Sequence, residues 1–458
     1  MNKYYKKNVR LKYISRMKIV VFGAGLSSTY LINYLEENAL VYHWDITVVD
    51  RDIKQIKDKV TSKSTHCISI DIQQEERIKP LIENAFLVVS MLPASLHYNI
   101  AKLCLKLNTN LATASYLSDD IKKLSDKVKS KNLIFLNECG LDPGIDHISA
   151  MKIIDEINNR GGKIIEFESF TGGLIAPDCE DNPWKYKFTW NPRNVVLAGA
   201  GGPVKFIHNN QYKYIPYHKL FRRTEVVSID GYGKFEGYAN RDSLKYRETY
   251  GLQDVETMYR GTFRRPGFSK AWNCFVQLGA TDDTYSIENS EGMTHRDFIN
   301  TFLAYHPTDS VELKFKSYLN ISQDDIYLWE KIESTGIFSD DIIAIKKATP
   351  AQILQHILEK KWNLKETDRD MIVMWHKIKY ASQNNIYTIE SSLVCEGENK
   401  TKTAMGKTVG LPLGIACKLI MTNQINERGC ILPISKDIYQ PIVQELELFD
   451  IKFKDKEY

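Results

Sequence analysis

MKIVVFGAGLSS, residues 17–28, is an apolar run that breaks at two glycines. Met17 to Phe22 has the β-branched, nearly continuous apolar character of a strand buried on both faces of a parallel sheet. Gly23 permits a tight turn, and Gly25 lets the backbone approach a pyrophosphate; Ala24, Leu26 and Ser27 complete the loop. Ser28 stands at the sixth position, where glycine or alanine is usual. Tyr30 to Glu36 follows with helical spacing, and Asp45 to Asp50 (DITVVD) is a second β-branched run. Strand, glycine loop, helix and strand in this order make a βαβ unit, and the loop predicts bound NAD or NADP. The alternative is a glycine turn that holds no ligand.

The alternation continues downstream. Cys67–Asp71, Phe86–Met91, Asn110–Ala114 and Leu133–Leu136 read as strands, and His97–Leu107 and Ser118–Lys131 as helices. After Asp142 the character changes. Pro143-Gly144 makes a turn, Ile145–Asn158 a helix and Ile164–Thr171 an alternating strand. A glycine-, proline- and aromatic-rich stretch then runs to about Phe268; its many Trp and Tyr residues argue against disorder. Residues 290–365 read as helical, with a helix opening at Thr349-Pro350. Met371–Tyr380 and Ile386–Cys395 read as an antiparallel pair, and Ala404–Asn423 as a helix interrupted near Gly410 and Pro412. The fold class is α/β, with a doubly wound parallel sheet.

A length of 458 residues fits two or three domains. The net charge of +4 gives no reason to expect nucleic acid as a partner. No two of the eight cysteines form a CxxC pair, so neither a zinc ribbon nor a disulfide framework is indicated. Scattered thiols of this kind favour a cytoplasmic setting. The sequence shows no metal site, and no apolar run approaches the roughly 18–20 residues that span a bilayer. Residues 1–16 hold six Lys/Arg and no acid. They read as a disordered tail, as a transit segment, or as an upstream extension with Met17 as the true start.

Three groups carry chemistry. At the end of the second strand, Asp50 suits the ribose hydroxyls of NAD, whereas Arg51 suits the 2′-phosphate of NADP; the plain alternative is a solvated strand end. Asn137 to His147, NECGLDPGIDH, follows a strand of the parallel sheet, so its polar residues lie where ligands bind such sheets. Asp142 is a site candidate or an ordinary turn former, and His147 a structural or a site histidine. Asn240-Arg241-Asp242-Ser243 and Arg260 to Arg265 (RGTFRR) fit a carboxylate pocket, because guanidinium matches carboxylate in two-pronged geometry. Their alternative is a set of solvated arginines.

These residues belong to longer segments: SMLPASLH, ASYLSDD, NECGLDPGIDH, TGGLIAPDCEDNPWKYKFTW, NRDSLKY, ETMYRGTFRRPGF, DRDMIVMWHK and TAMGKTVGLPLGIACKLI. From Met17 to about Leu448 the chain resembles the saccharopine reductase family, the L-glutamate-forming saccharopine dehydrogenases. The resemblance implies three parts: a Rossmann-like cofactor domain over 17–141 completed by about 400–458, a mixed α/β substrate domain over 142–289 and about 366–399, and a small helical subdomain over 290–365. It implies an oxidoreductase of lysine metabolism acting on a C–N bond, with saccharopine, L-glutamate and 2-aminoadipate 6-semialdehyde as its small molecules. The sequence does not settle the oligomeric state; a homodimer is the expectation. By the same resemblance the cofactor positions are the glycine loop, Asp50, Arg51, Asp71, Ile72, Met91, Leu92, Ala114, Ser115, Leu141, Asp142 and Pro143. The substrate positions are Ser115, Tyr116, Asp142, Arg241, Thr262, Phe263 and Arg264.

Two departures bear on this. Lys187 to Asn191 reads KFTWN where relatives often have KFSWS, and the fungal NADP enzymes lack an acid where Asp50 stands. NAD and NADP therefore both stay open. Asp142 and Tyr116 are the titratable candidates for proton transfer. Arg241 and Arg264 suit carboxylates, with Thr262 and the backbone around Phe263 orienting a second one. The hydride is expected to pass between the nicotinamide and the glutamate α-carbon. Two other readings remain: a related reductase joining another semialdehyde and amine, of carboxynorspermidine type, and a protein that binds NAD(P) without turnover.

Overall fold

The computed structural model describes residues 17–458; the expectations for residues 1–16 lie outside them. The strands, in chain order, begin with β1 (Lys18–Phe22), β2 (Asp45–Asp50), β3 (His66–Ser69), β4 (Leu87–Ser90), β5 (Asn110–Thr113) and β6 (Ile134–Leu136). They continue with β7 (Lys163–Ile175), β8 (Val204–His208), β9 (Gln211–Ile215), β10 (Glu225–Ile229), β11 (Gly233–Ala239) and β12 (Thr257–Arg264). The last are β13 (Asp370–Ser382), β14 (Asn385–Glu396), β15 (Gly429–Ile431) and β16 (Lys454–Glu457).

Seven strands form a parallel sheet in the order β15-β6-β5-β4-β1-β2-β3. The chain winds outward from β1 to one side, then returns to β4 on the other. The strand order therefore reverses between β1 and β4, where open α/β sheets bind ligands beyond the carboxyl ends. β1 and β4 are almost wholly buried, as expected of strands covered on both faces. This is a Rossmann-like sheet.

The second sheet is mixed, in the order β10-β11-β12-β7-β13-β14-β16, with β8 and β9 attached to β12. β7 and β12 run parallel; the other pairs are antiparallel. Here the stretch before Phe268 differs from its reading as irregular chain: it contains β8 to β12. Asn209 and Asn210, with φ of 47° and 61°, make the left-handed two-residue turn that a tight hairpin needs. Most of its aromatics are core, though Tyr212 and Tyr214 are exposed. Trp184 is buried and meets buried Trp362, from the later helix Pro350–Trp362, edge to face at 5.1 Å.

Two helices also depart from expectation. Ser118–Lys131 divides into Asp119–Lys122 and Ser125–Ser130. Ala404–Met421 runs unbroken through Gly410 and Pro412. Gly410 serves packing, since a Cβ there would lie 2.7 Å from the backbone nitrogen of Leu31 in the helix Thr29–Tyr42. Ala404–Met421 is also long and apolar enough to cross a membrane, yet 83% of it is buried inside the protein as a core helix.

Candidate active site

The glycine loop leaves β1 at the reversal point. Gly23, at φ 100°, donates its N–H to Val49 O at 2.8 Å, and a Cβ there would lie 2.7 Å from the Met91 carbonyl oxygen. Only glycine fits between β1 and β4 in this way. Gly25 is exposed, and a Cβ there would meet nothing within 4 Å. The Ser28 hydroxyl turns back onto Gly25 O at 2.9 Å and does not cap the helix Thr29–Tyr42. Serine at the sixth position is thus accommodated, and the first N–H groups of the helix stay available to an anion. Exposed Leu26 and half-buried Ser27 complete a loop that suits a dinucleotide pyrophosphate.

Asp50 is turned toward the loop. Its Oδ2 accepts from Ala24 N at 2.8 Å, and its Oδ1 from Asp52 N at 3.0 Å. Lys59 donates to the carbonyl oxygen of Ala24, and burial lowers its basicity against the pull of Asp50. Arg51 is exposed beside them. The other positions expected to meet the cofactor follow the carboxyl ends of the strands. Asp71 and Ile72 lie beyond β3, Met91 and Leu92 beyond β4, and Ala114 and Ser115 beyond β5. Asp71 Oδ1 accepts from Gln73 N in its own turn. Met91 donates its backbone N–H to Phe22 O at 2.8 Å, tying β4 to β1.

Beyond β6 the segment 137–147 folds back on itself. Gly144 packs so closely on Gly140 that a Cβ at 144 would lie 2.0 Å from its carbonyl oxygen. This knot sets Gly140 against Ala114, where a Cβ at 140 would lie 2.9 Å from Ala114 Cβ, and carries the chain into the helix Ile145–Asn159. Asp142 Oδ1 accepts from Tyr116 OH at 3.0 Å and from Arg260 Nη2 at 2.9 Å. The same Nη2 reaches Asp146 Oδ2 at 2.6 Å. Burial pushes the Asp142 carboxyl above the usual range against the pull of Arg260, and the neighbouring Asp146 charge pushes the same way. Asp146 is held below the range despite burial, by His147, Arg260 and the Gly144 N–H. Burial, then the Asp142 charge, raises the Tyr116 phenol well above its ordinary value, so it stays a donor.

A second buried group lies behind the first. Glu138 accepts from Leu117 N at 2.9 Å and Tyr246 OH at 2.9 Å, and meets His147 Nε2 at 2.8 Å. His147 Nδ1 meets Tyr250 OH. These partners hold the Glu138 carboxyl below its usual range although burial opposes them. His147 is fully buried and bonded at both nitrogens.

On β12, side chains two apart share a face, which aligns Arg260, Thr262 and Arg264. Arg264 is 4% exposed, with its guanidinium 5.0 Å from the Tyr186 ring and 5.2 Å from the Phe268 ring. Its Nη1 donates to Phe263 O at 2.8 Å. The Phe263 ring itself lies in the core against Phe170, 5.1 Å away, so only its backbone remains near the other residues. Half-buried Thr262 pairs with Thr171 across the β7/β12 ladder. Arg264 Nε, Thr171 Oγ1, Tyr186 OH and Thr189 Oγ1 are buried with no hydrogen-bond partner in the protein. Arg241 is exposed, at φ 46°, with its guanidinium 5.8 Å from the Tyr116 ring.

Tyr116, Asp142 and Arg241 thus come together, as do Thr262 and Arg264. Sequence reading missed the central role of Arg260, whose guanidinium is spent on Asp142 and Asp146. The period of two along RGTFR was the signal for it. It also missed Tyr246, Tyr250, Lys59 and His97, while Glu138 lay within the segment 137–147 whose polar residues it singled out. Among the described residues, no group of three or more His, Cys, Asp or Glu is placed to hold a metal ion.

Residues 19–136 match the family model described as saccharopine dehydrogenase NADP binding domain, and residues 140–450 the one described as saccharopine dehydrogenase C-terminal domain. The mitochondrial alpha-aminoadipic semialdehyde synthase of Rattus norvegicus is 31% identical over 99% of this chain and 49% of its own length. The saccharopine dehydrogenase (NADP(+), L-glutamate-forming) of Saccharomyces cerevisiae is 29% identical over 96% of this chain and 98% of its own. The chain therefore spans about half the length of the first of these relatives and nearly all of the second. The apo structure of the L-Glu-forming saccharopine dehydrogenase from Saccharomyces cerevisiae aligns with a TM-score of 0.86 at 27% identity, over 96% of this chain and 100% of that one. A homospermidine synthase from Legionella pneumophila, at TM-score 0.52 and 12% identity over 96% of this chain and 91% of that one, shares the fold.

Proposed function

The chain belongs to the saccharopine dehydrogenase family, and we propose that it interconverts saccharopine with L-glutamate and 2-aminoadipate 6-semialdehyde using NADP. The observation that carries this reading is the joining of Tyr116, Asp142 and Arg241 at the carboxyl edge of the dinucleotide-type sheet. NADP is preferred to NAD because both Asp50 oxygens already accept backbone N–H groups, while Arg51 is exposed beside them. The family's NADP-binding description supports the same choice.

In the oxidative direction the bond between the substrate nitrogen and the carbon that becomes the aldehyde is oxidised to C=N, and water then cleaves it. Glutamate leaves with its amine on its own α-carbon, so the hydride comes from the other carbon. This corrects the expectation that placed the transfer at the glutamate α-carbon. The nicotinamide, when bound, accepts that hydride. Asp142 is placed to take the proton that the secondary amine loses, and Tyr116 and Arg260 orient its carboxylate. Exposed Arg241 binds one substrate carboxylate. Arg264 and Thr262, with the unpartnered hydroxyls of Thr171 and Thr189, suit a second.

We further place the cofactor domain over 17–141 and about 400–458, the substrate domain over 142–289 and about 366–399, and a helical subdomain over 290–365. A homodimer in the cytoplasm belongs to this reading; eight free cysteines fit a reducing compartment. Initial rates with saccharopine and either NADP or NAD test the activity, read as reduced nicotinamide. Turnover with NADP supports the proposal, and no reduction with either cofactor rejects it. The carboxynorspermidine-type reading predicts turnover only with a substrate of fewer carboxylates.

A further inference from the structure

Ser90, His97 and Ser115 form a hydrogen-bonded chain at the reversal point of the parallel sheet. Ser90 ends β4, His97 opens the helix His97–Leu107, and Ser115 lies just beyond β5. His97 Nδ1 meets Ser90 Oγ at 2.8 Å, and Nε2 meets Ser115 Oγ at 2.7 Å. The ring is 3% exposed and Ser90 is 1% exposed, so the chain is closed at its inner end. Its outer end is half-buried Ser115. Burial lowers the imidazole to about 4, so it is neutral near pH 7.

A neutral imidazole has one donor and one acceptor. If Nε2 carries the hydrogen, it donates to Ser115, whose own hydrogen stays free for a ligand. If Nδ1 carries it, Ser115 donates inward and offers only lone pairs outward. In either tautomer the hydroxyl is held in one rotamer instead of sampling three. The inner Ser90 bond fixes the ring in turn.

We propose that His97 is a positioning residue for the reaction, which bonds Ser115 from beneath and fixes the hydroxyl presented to the reacting ends of cofactor and substrate. This rests on the reading that Ser115 contacts those ligands. It makes a chemical demand at position 97: a polar atom where Nε2 stands. Glutamine reaches that point, asparagine reaches only the Nδ1 position, and phenylalanine fills the volume with no polar atom.

Steady-state kinetics of saccharopine oxidation on His97→Gln, His97→Asn, His97→Phe, Ser115→Ala and the His97→Phe/Ser115→Ala double variant provide the test. His97→Phe is expected to lower kcat about tenfold with KM changed less than about threefold. His97→Gln recovers most of kcat, and His97→Asn does not. The double variant is no slower than Ser115→Ala alone, because both changes remove one interaction. Additive losses, or wild-type kcat in His97→Phe, overturn the proposal. If His97→Phe does not fold, the Gln and Asn variants decide, and equal kcat in the two overturns it. If the wild type does not turn over saccharopine, the activity reading fails separately. The imidazole 15N resonances of His97 then carry the test: Ser115→Ala must shift them, and unmoved resonances overturn the proposal.

Discussion

The loop Gly23–Ser28 presents backbone N–H groups and an open glycine, whereas half-buried Asp142 and buried Asp146 share one guanidinium. The loop spends little folding energy on its own charges, because it has few. The carboxylate cluster fixes its geometry by being paired internally, and only Arg241 is left exposed for a ligand charge. Buried ion pairs add little net stability over apolar packing, yet breaking one from a single side is severe. The first region is therefore tuned for binding and the second for rigid placement.

Arg260→Met is the hardest blow to that contrast. It removes the one guanidinium that Asp142 and Asp146 share, leaving His147 beside Asp146 alone, and should cost about 3–5 kcal/mol in denaturant unfolding. Arg241→Ala should change stability by about 0.5 kcal/mol or less, while raising KM for saccharopine about tenfold or more. Equal stability losses in the two variants would break the comparison.

Acid provides the next test, through His97 and His376. Burial lowers both rings to about 4. The unfolded chain, with histidine near 6.5, takes protons first, so stability falls as pH drops from about 6.5 toward 4, by at most about 3 kcal/mol per ring. His376→Gln should reduce the pH slope in that window by about one proton; an unchanged slope would sink the assignment. Gly23→Ala comes third, because it combines a left-handed φ with a clash on Met91 O. About 1–3 kcal/mol should be lost on unfolding. Gly25→Ala is the smallest in stability, about 0.5 kcal/mol or less, yet NADP affinity should fall several-fold by calorimetry. A stability loss as large as that of Gly23→Ala would contradict an open ligand face at Gly25.

The two sheets also differ in how far they can be read from sequence. β1, β4 and β6 announce themselves because strands buried on both faces are short apolar runs, and each ends where the chain turns polar. The hairpins β8–β9 and β10–β11 do not: β9 buries only Ile215, and in β10 exposed Val226 and Ser228 alternate with half-buried Val227 and buried Ile229, so neither strand carries an apolar run. Their signal was the turn chemistry of Asn209-Asn210 and Asp230-Gly231. Within the site, Tyr116, Asp142 and Arg241 stood out through long motifs. Arg260 stood in one of them too, but its pairing with Asp142 and Asp146 was not legible, because an arginine's sequence context does not reveal which carboxylates lie across the fold from it. Asp50 was ambiguous for a similar reason: its identity suits NAD, but which groups its oxygens face, here two backbone N–H groups, is not written in the sequence. Pro412 marked a break that a fully packed helix absorbs.

The most direct test follows the products when the purified chain, saccharopine and NADP are mixed. The account predicts L-glutamate and 2-aminoadipate 6-semialdehyde in amounts equal to the NADPH formed, with Asp142→Asn slower at every pH. Release of lysine and 2-oxoglutarate instead, or NADPH formed without glutamate, would contradict it.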